Sequence, residues 1–322
     1  MNILITGCAG FIGSNLADKL SIDKNNLIIG LDNFDNTYPE EVKLENLSEL
    51  NGQPNFQLIK GDIRDSLLLN KIFSENNIDI VIHLAAKAGV RTSFEIPEEY
   101  KSVNIEGTET ILKIMAKYGV QKLVFASSSS VYGNCKSPIF NEKLENLKPI
   151  SPYAQTKLMC EKTIREYSEK YGIQAICLRF FTVYGKRQRP DLAIHKFTKQ
   201  IFNNETVTIY GDGTTYRDYT HIEDIINGII ASINYNKTPF EIINLGSSSP
   251  IILNDMVKYI EKALNKDANI KHFPPQNGDV NRTFADITKA RNLLGYEPQI
   301  KFIDGLNRFV QEFVSREKQN AK

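Results

Sequence analysis

The sequence is poor in the residues that metal centres and disulfide frameworks require. Its four cysteines (Cys8, Cys135, Cys160, Cys177) are scattered with no paired spacing. That excludes a disulfide scaffold or zinc ribbon and reads as reduced thiols in a cytoplasmic protein. The four histidines, at positions 83, 195, 221 and 272, make no metal-like pair. No apolar run approaches the length that spans a bilayer. The opening residues Asn2-Ile3-Leu4-Ile5-Thr6 lack the basic, then apolar, order of a leader. A surplus of one charge is also missing: 39 basic against 38 acidic side chains leave +1. Neither nucleic acid nor a membrane surface is therefore expected as the main partner. At 322 residues the chain is one large domain or two closely packed ones.

What is present begins with Ile3-Leu4-Ile5, a short apolar run that reads as a buried parallel strand. Gly7-Cys8-Ala9-Gly10-Phe11-Ile12-Gly13 follows and leads into a helical pattern from Ser14 to Leu20. Strand, glycine-rich turn and helix is the context in which backbone amides and a helix N-terminus hold a pyrophosphate. The alternative is a tight turn that needs positive φ. The second strand, Leu27 to Leu31, ends in Asp32, near the spacing at which a carboxylate accepts from the adenosine ribose hydroxyls. A carboxylate there also repels a 2′-phosphate, which favours NAD over NADP. Asp32 and Asn33 could instead simply open a turn.

Further strands are expected at Phe56 to Lys60, Ile80 to His83, Lys122 to Ala126 and Ala175 to Phe180, with helices at Glu98 to Tyr118 and Ser151 to Tyr171. This alternation predicts a Rossmann-type, doubly wound, mostly parallel α/β sheet whose crevice lies at the carboxyl ends of the strands. The same edge then receives Asp62 and Ile63, the small Leu84-Ala85-Ala86 turn, Phe180, and Asn104 as a buried polar contact. Asp65 reads as a helix N-cap, and His83 as a group packed within the sheet rather than a catalytic one. Residues 1–180 form the cofactor-binding domain, to which the segment 222–247 returns. Residues 181–322 form a smaller α/β substrate domain, with helices near Leu192 to Phe202, Ile222 to Asn234, Leu253 to Leu264, Asp286 to Leu294 and Gly305 to Arg316, and strands near Val207-Ile209, Ile242-Leu245 and Ile270-Phe273.

One stretch carries acid–base chemistry. In Ser151-Pro152-Tyr153-Ala154-Gln155-Thr156-Lys157, Ser151 suits an N-cap and Pro152 the first helical position. Tyr153 and Lys157 then share one helix face. A phenol titrates near 10 and is a poor base at neutral pH, and an ammonium group beside it favours the phenolate. Alone, the pair would equally suit a solvated face.

Taken with the glycine turn, the Ser127-Ser128-Ser129-Ser130-Val131-Tyr132-Gly133 strand end and Arg217-Asp218-Tyr219-Thr220-His221, the chain resembles the extended short-chain dehydrogenase/reductases, specifically the sugar-nucleotide epimerases and dehydratases. The resemblance spans essentially the full length. It implies a Ser–Tyr–Lys centre of Ser128, Tyr153 and Lys157, with Ser127 as the alternative hydroxyl. Lys157 would bind the nicotinamide ribose and lower the Tyr153 pKa. Tyr153 would take the proton from the sugar 4-hydroxyl while hydride passes to a tightly held, recycled NAD. Arg217 would meet a uridine diphosphate and Asp279 the uridine ribose. A Gln276 stands where glucose-type epimerases carry an arginine, three residues before that aspartate, which leaves the base less defined. The family also implies a homodimer through the helices 98–118 and 151–171.

Related dehydratases carry acidic residues where this chain has Ser129 and Ser130, so elimination lacks its acid–base group and simple epimerisation is favoured. Ala88-Gly89-Val90-Arg91 and the run from Phe181 to Asp191 are similar to UDP-glucuronate 4-epimerases. The resemblance implies that Arg91, Ser129, Thr182 and Arg189 lie near the sugar, with Arg189 a partner for a substrate carboxylate. The expected activity is interconversion of UDP-glucuronate and UDP-galacturonate. The alternatives are a neutral UDP-glucose or UDP-N-acetylglucosamine substrate, or a non-catalytic NAD-binding regulator on the same fold.

Overall fold

The computed structural model describes residues 1–276, 278 and 280–320. Among these described residues twelve strands are formed: β1 (Asn2–Thr6), β2 (Leu27–Asp32), β3 (Phe56–Lys60), β4 (Ile80–His83), β5 (Lys122–Ser128), β6 (Gln174–Phe180), β7 (Thr182–Tyr184), β8 (Thr206–Tyr210), β9 (Tyr216–His221), β10 (Phe240–Leu245), β11 (Pro250–Ile252) and β12 (Asn269–Phe273). Seven of them make one parallel sheet in the order β10-β6-β5-β4-β1-β2-β3. In the central strands β1, β2, β4, β5 and β6 the largely apolar content follows from burial on both faces. Alternate residues serve opposite layers. Ile3, Ile5, Ile28, Ile80 and Ile82 join one core cluster, while Leu4, Ile29, Val81 and Leu123 join the other.

The strand order reverses between β1 and β4, so the loops leaving these two strands diverge and open a crevice at their carboxyl ends. Helices Ser66–Asn76, Gly107–Tyr118 and Pro152–Tyr171 pack together on one face. Helices Phe11–Ser21 and Ile222–Ile233 pack against each other on the opposite face. The stretch expected as one helix from Glu98 is in fact Pro97–Tyr100, a π-helical Lys101–Glu106 and Gly107–Tyr118 in continuous succession. The wider turn lies where Asn104 reaches out to the 87 loop, a site-associated use of a π-bulge.

After β6 the chain leaves the large sheet, and it returns to it as helix Ile222–Ile233 and β10. The excursion and the chain that follows β10 together build two small sheets, β11-β9-β7 and β12-β8. A third core, including Tyr184, Phe197, Ile209, Met256, Phe302 and Phe309, lies beneath them. Strands β7, β9 and β11 were not expected from the sequence. β7 and β11 have only three residues each, and β9 is the polar run Tyr-Arg-Asp-Tyr-Thr-His, held by long-range pairing and lacking an apolar alternation.

Candidate active site

Gly7 leaves β1 at φ +71, and its N–H donates to the Leu31 carbonyl at 2.8 Å. A Cβ at Gly13 would stand 2.2 Å from the Gly7 carbonyl oxygen, and one at Gly7 would stand 2.8 Å from the Ala85 nitrogen. Only glycine allows this turn to fold so tightly onto the start of helix Phe11–Ser21 and the loop after β4. Asp32 is buried at the end of β2. Its carboxylate accepts from the Ala9 N–H at 3.0 Å and the Phe34 N–H at 2.8 Å, and Lys43 Nζ stands 3.9 Å away. Burial raises its pKa, against Lys43 and the two amides. A glycine cradle that no Cβ could enter, an open helix N-terminus and a strand-end carboxylate together fit a dinucleotide.

These groups line one cavity of about 500 Å³ that runs on to the end of β5 and beneath the 181–192 segment. Gly7, Gly10, Phe11, Ile12, Gly13, Asp32, Asn33, Ile63, Leu84, Ala85, Ala86 and Phe180 all line it, as do Ser127, Ser128, Ser129, Tyr153, Lys157, Thr182, Arg189 and Arg217. Three expected residues stand outside its lining. Asp62 is clamped by Arg64 at 2.9 and 2.7 Å and also accepts from Asn33 at 3.2 Å, and the Arg64 bonds hold its carboxyl down at about 2. Asn104 bonds both the N–H and the carbonyl of Lys87, at 2.8 and 3.1 Å, and so shapes the loop after β4. Arg91 stacks its guanidinium over the Tyr210 ring at 4.7 Å. Asp279 lies outside the described residues.

At the far end, Ser151 caps helix Pro152–Tyr171 by accepting from the Ala154 N–H at 3.2 Å, with Pro152 at the first turn. Tyr153 and Lys157 face the sheet from one stripe of this helix. Ser128 Oγ accepts from the Ser130 N–H and donates to Ser130 Oγ, both at 3.1 Å, and it stands beside the Tyr153 phenol, whose pKa it lowers. The Ser127 hydroxyl points elsewhere and donates to Glu161 Oε1 at 2.6 Å. Between the two candidate serines, the geometry therefore turns only Ser128 toward Tyr153.

Burial raises the Tyr153 phenol, while Ser128 and the Arg189 charge pull it down. The Lys157 ammonium donates to the Ala126 carbonyl at 2.7 Å, lies over the Phe125 ring at 4.8 Å, and is lowered by burial to about 8. Arg189 is a cation that acts on the phenol. This side chain is gripped in bidentate fashion by Asp191, with Nε–Oδ1 at 2.9 Å and Nη2–Oδ2 at 2.6 Å. The carboxylates lining the cavity among the described residues are Asp32, Asp35 and Glu99. The latter two are both held by Lys87, at 2.9 and 3.0 Å, away from the serine end.

Several lining residues escaped sequence reasoning. Tyr38 reaches back from the loop after β2 and brings its hydroxyl up to the glycine turn, 3.9 Å from where a Cβ at Gly10 would stand. Lys87 bridges the loops after β2 and β4. Its position directly after Leu84-Ala85-Ala86 was the available signal, since a strand end at the switch point is where ligand-facing residues collect. Nothing local marked Tyr38, Val183, Leu192 or Thr283. Among the described residues, no cluster of three or more His, Cys, Asp or Glu could hold a metal, and no helix is long and apolar enough to cross a membrane.

Comparison with known proteins gives a consistent picture. The family model described as GDP-mannose 4,6-dehydratase matches residues 4–309. A UDP-glucuronate 4-epimerase of Thermodesulfobacterium geofontis is 42% identical over 308 residues, covering 95% of this chain and 94% of the relative. The UDP-glucuronic acid 4-epimerase of Bacillus cereus, solved with UDP-glucuronic acid and NAD, superposes with a TM-score of 0.93 at 37% identity, covering 98% of this chain and all of that one. The UDP-glucose 4-epimerase of Thermotoga maritima, solved with UDP-glucose, gives 0.91 at 32% identity, with 98% and 100% coverage.

Proposed function

The chain belongs to the GDP-mannose 4,6-dehydratase family of extended short-chain dehydrogenase/reductases, and from that membership we propose that it is an NAD-dependent UDP-sugar 4-epimerase acting on UDP-glucuronate to give UDP-galacturonate. The uronate reading rests on Arg189. A largely buried guanidinium on the wall of the Tyr153 cavity is suited to a substrate carboxylate, and its charge reaches the phenol.

In this mechanism Tyr153 removes the proton of the sugar 4-hydroxyl and later returns it. Ser128 shares a hydrogen bond with the same oxygens and keeps the phenol aligned. Lys157 orients the nicotinamide ribose. NAD, when bound, supplies the chemistry of taking hydride from carbon 4 and giving it back to the other face of the transient 4-keto sugar. The glycine turn and Asp32 hold the dinucleotide, and Arg217 and Asp279 the uridine diphosphate. Asp62, Asn104 and Arg91 act at one remove, by shaping the loops that border the cavity. With Ser129 and Ser130 beside Ser128, no carboxylate is on hand there to drive elimination. A carboxylate next to a 4-ketone loses CO₂ when its bond stands perpendicular to the carbonyl plane. Thr182, the Ser129 or Ser130 hydroxyl and Arg189 hold it out of that orientation.

A second reading, epimerisation of UDP-glucose or UDP-N-acetylglucosamine, is favoured by one feature. Asp191 already neutralises Arg189, so a neutral sugar would not leave an unpaired buried cation. Residues 1–180 with the returning 222–247 segment form the cofactor unit, and the rest of residues 181–322 forms the substrate unit. The exposed Tyr118, Met159 and Tyr171 on the two outer helices suit a homodimer, and four free thiols suit a cytoplasmic setting.

Incubation with UDP-glucuronate, UDP-glucose or UDP-N-acetylglucosamine without added NAD, read by NMR, tests both readings. UDP-galacturonate is the expected product. Arg189→Ala should lower kcat/KM for the uronate by about 100-fold and raise the pentose by-product, while costing a neutral sugar little. Turnover of neutral sugars alone would establish the second reading instead.

A further inference from the structure

The helix that carries Tyr153 and Lys157 continues, one turn on, to Glu161. Spacings of four and eight residues place all three on one stripe facing the sheet. Glu161 is buried, and its carboxylate is fully engaged. Oε1 accepts from Ser127 Oγ at 2.6 Å and from Arg179 Nε at 2.9 Å, and Oε2 accepts from Arg179 Nη2 at 2.7 Å. The side chains of Arg179 and Glu161 are 3% and 2% exposed, so water cannot substitute for either partner. Ser127 and Arg179 are register partners on β5 and β6, so one carboxylate spans two adjacent strands.

Successive strand side chains alternate in direction. Turning Ser127 toward Glu161 therefore turns Ser128 toward Ser130 and Tyr153. The connection also runs outward. Arg179 lies over the Tyr132 ring at 4.7 Å, the Tyr132 hydroxyl donates to Asn244 Oδ1 at 2.7 Å, and Asn244 sits on β10. A buried ion pair is a poor source of net stability compared with apolar side chains of the same volume. Its physical value here is geometric.

We propose that Glu161 is a positioning residue for the reaction: by pairing with Ser127 and Arg179 it sets the separation between the helix bearing Tyr153 and Lys157 and the strand end bearing Ser128. The proposal rests on the Ser128–Tyr153–Lys157 reading above. Glu161 and Arg179 do not line the cavity, and the Ser127 hydroxyl is turned from it, so none of the three touches the sugar. Glu161 also supports the charge on Lys157, among other influences.

The test uses the NAD-loaded protein and three variants. Ser127→Ala should lower kcat about tenfold with KM and thermal midpoint near wild type, since small misplacements at a reacting centre are costly. Glu161→Gln should lower kcat by roughly 100-fold and move the alkaline limb of its pH profile to lower pH, because Lys157 loses a supporting charge. The paired replacement Glu161→Met with Arg179→Met should restore thermal stability without restoring kcat. Wild-type kcat in the paired variant, or in Ser127→Ala together with an unmoved pH profile in Glu161→Gln, would overturn the proposal. Ultraviolet difference titration of Tyr153, referenced to Tyr153→Phe, needs no substrate. An unmoved phenol titration in Glu161→Gln counts against positioning even if UDP-glucuronate is not turned over, whereas wild-type protein inert on every UDP-sugar sinks only the functional reading.

Discussion

His83 sits at the end of β4, in reach of the cavity by sequence yet turned into the sheet. Its Nδ1 meets Thr6 Oγ1 at 2.7 Å and its Nε2 meets Thr108 Oγ1 at 3.0 Å. Burial lowers the imidazole from 6.5 to about 3, so it stays neutral in the fold. Below pH 6.5 the unfolded chain binds a proton that the folded chain refuses. Stability should therefore fall as pH drops from 6.5 toward 3, by at most about 1.4 kcal/mol per pH unit from this group. His83→Asn should shrink the difference in unfolding free energy between neutral and mildly acidic solution, measured by denaturant melts. An undiminished difference would assign the acid sensitivity to other groups. The contrast with Lys157 is instructive at this scale. Both are buried, but Lys157 is lowered only to about 8, with Glu161 among the groups that oppose its deprotonation, while no carboxylate supports His83.

Among the elements, the loops that leave β2 and β4 matter most. Asp35 and Glu99 both pair with Lys87, and Asn104 fixes the Lys87 backbone from the π-helical turn. Tyr38 closes from the same β2 loop onto the glycine turn. Together they form a strap that ties the loops after β2 and β4 along the wall of the cavity. Ion pairs that are partly exposed weaken with salt. Asp35→Asn combined with Glu99→Gln should hasten loss of NAD during gel filtration, and high salt should do the same to the wild type. Equal NAD content in variant and wild type at every ionic strength would show that the strap does not retain the cofactor.

Across the whole molecule, Asp218 joins parts of the chain far apart in sequence. It is fully buried on β9. Its Oδ1 accepts from the Ser247 N–H and hydroxyl at 2.7 and 2.8 Å, and its Oδ2 accepts from the Ser248 and Ala285 N–H groups, both at 3.0 Å. The loop after β10 of the large sheet, the small sheet and the 283–285 strip thus converge on one carboxylate next to Arg217. Asp218→Ala would leave several buried donors without a partner and should cost roughly 3 kcal/mol or more. A thermal melt should show a clearly lowered midpoint. A midpoint within a degree or so of wild type would mean that water or a shifted loop satisfies these donors.

What the sequence determined by itself was local. The parallel sheet, the glycine turn, the carboxylate closing β2, and the capped helix with Tyr153 and Lys157 on one stripe all follow from short-range pattern: apolar runs, residues that permit special backbone angles, and a four-residue spacing. Only the tertiary structure decided which serine faces Tyr153, because four hydroxyls in a row are distinguished by what packs against each, and Glu161 claims Ser127. It also decided that Asp62 answers to Arg64, that Asn104 serves a loop, and that Arg91 lies on Tyr210. Tyr38 and Lys87 joined the cavity through loop paths that no periodicity records. Strands β7, β9 and β11 exist because distant segments pair with one another, and Arg189 bears on the phenol because the 181–192 segment folds back over the sheet edge. Periodicity is written along the chain, whereas the direction of a side chain and the charge that reaches it depend on partners brought from elsewhere in the chain.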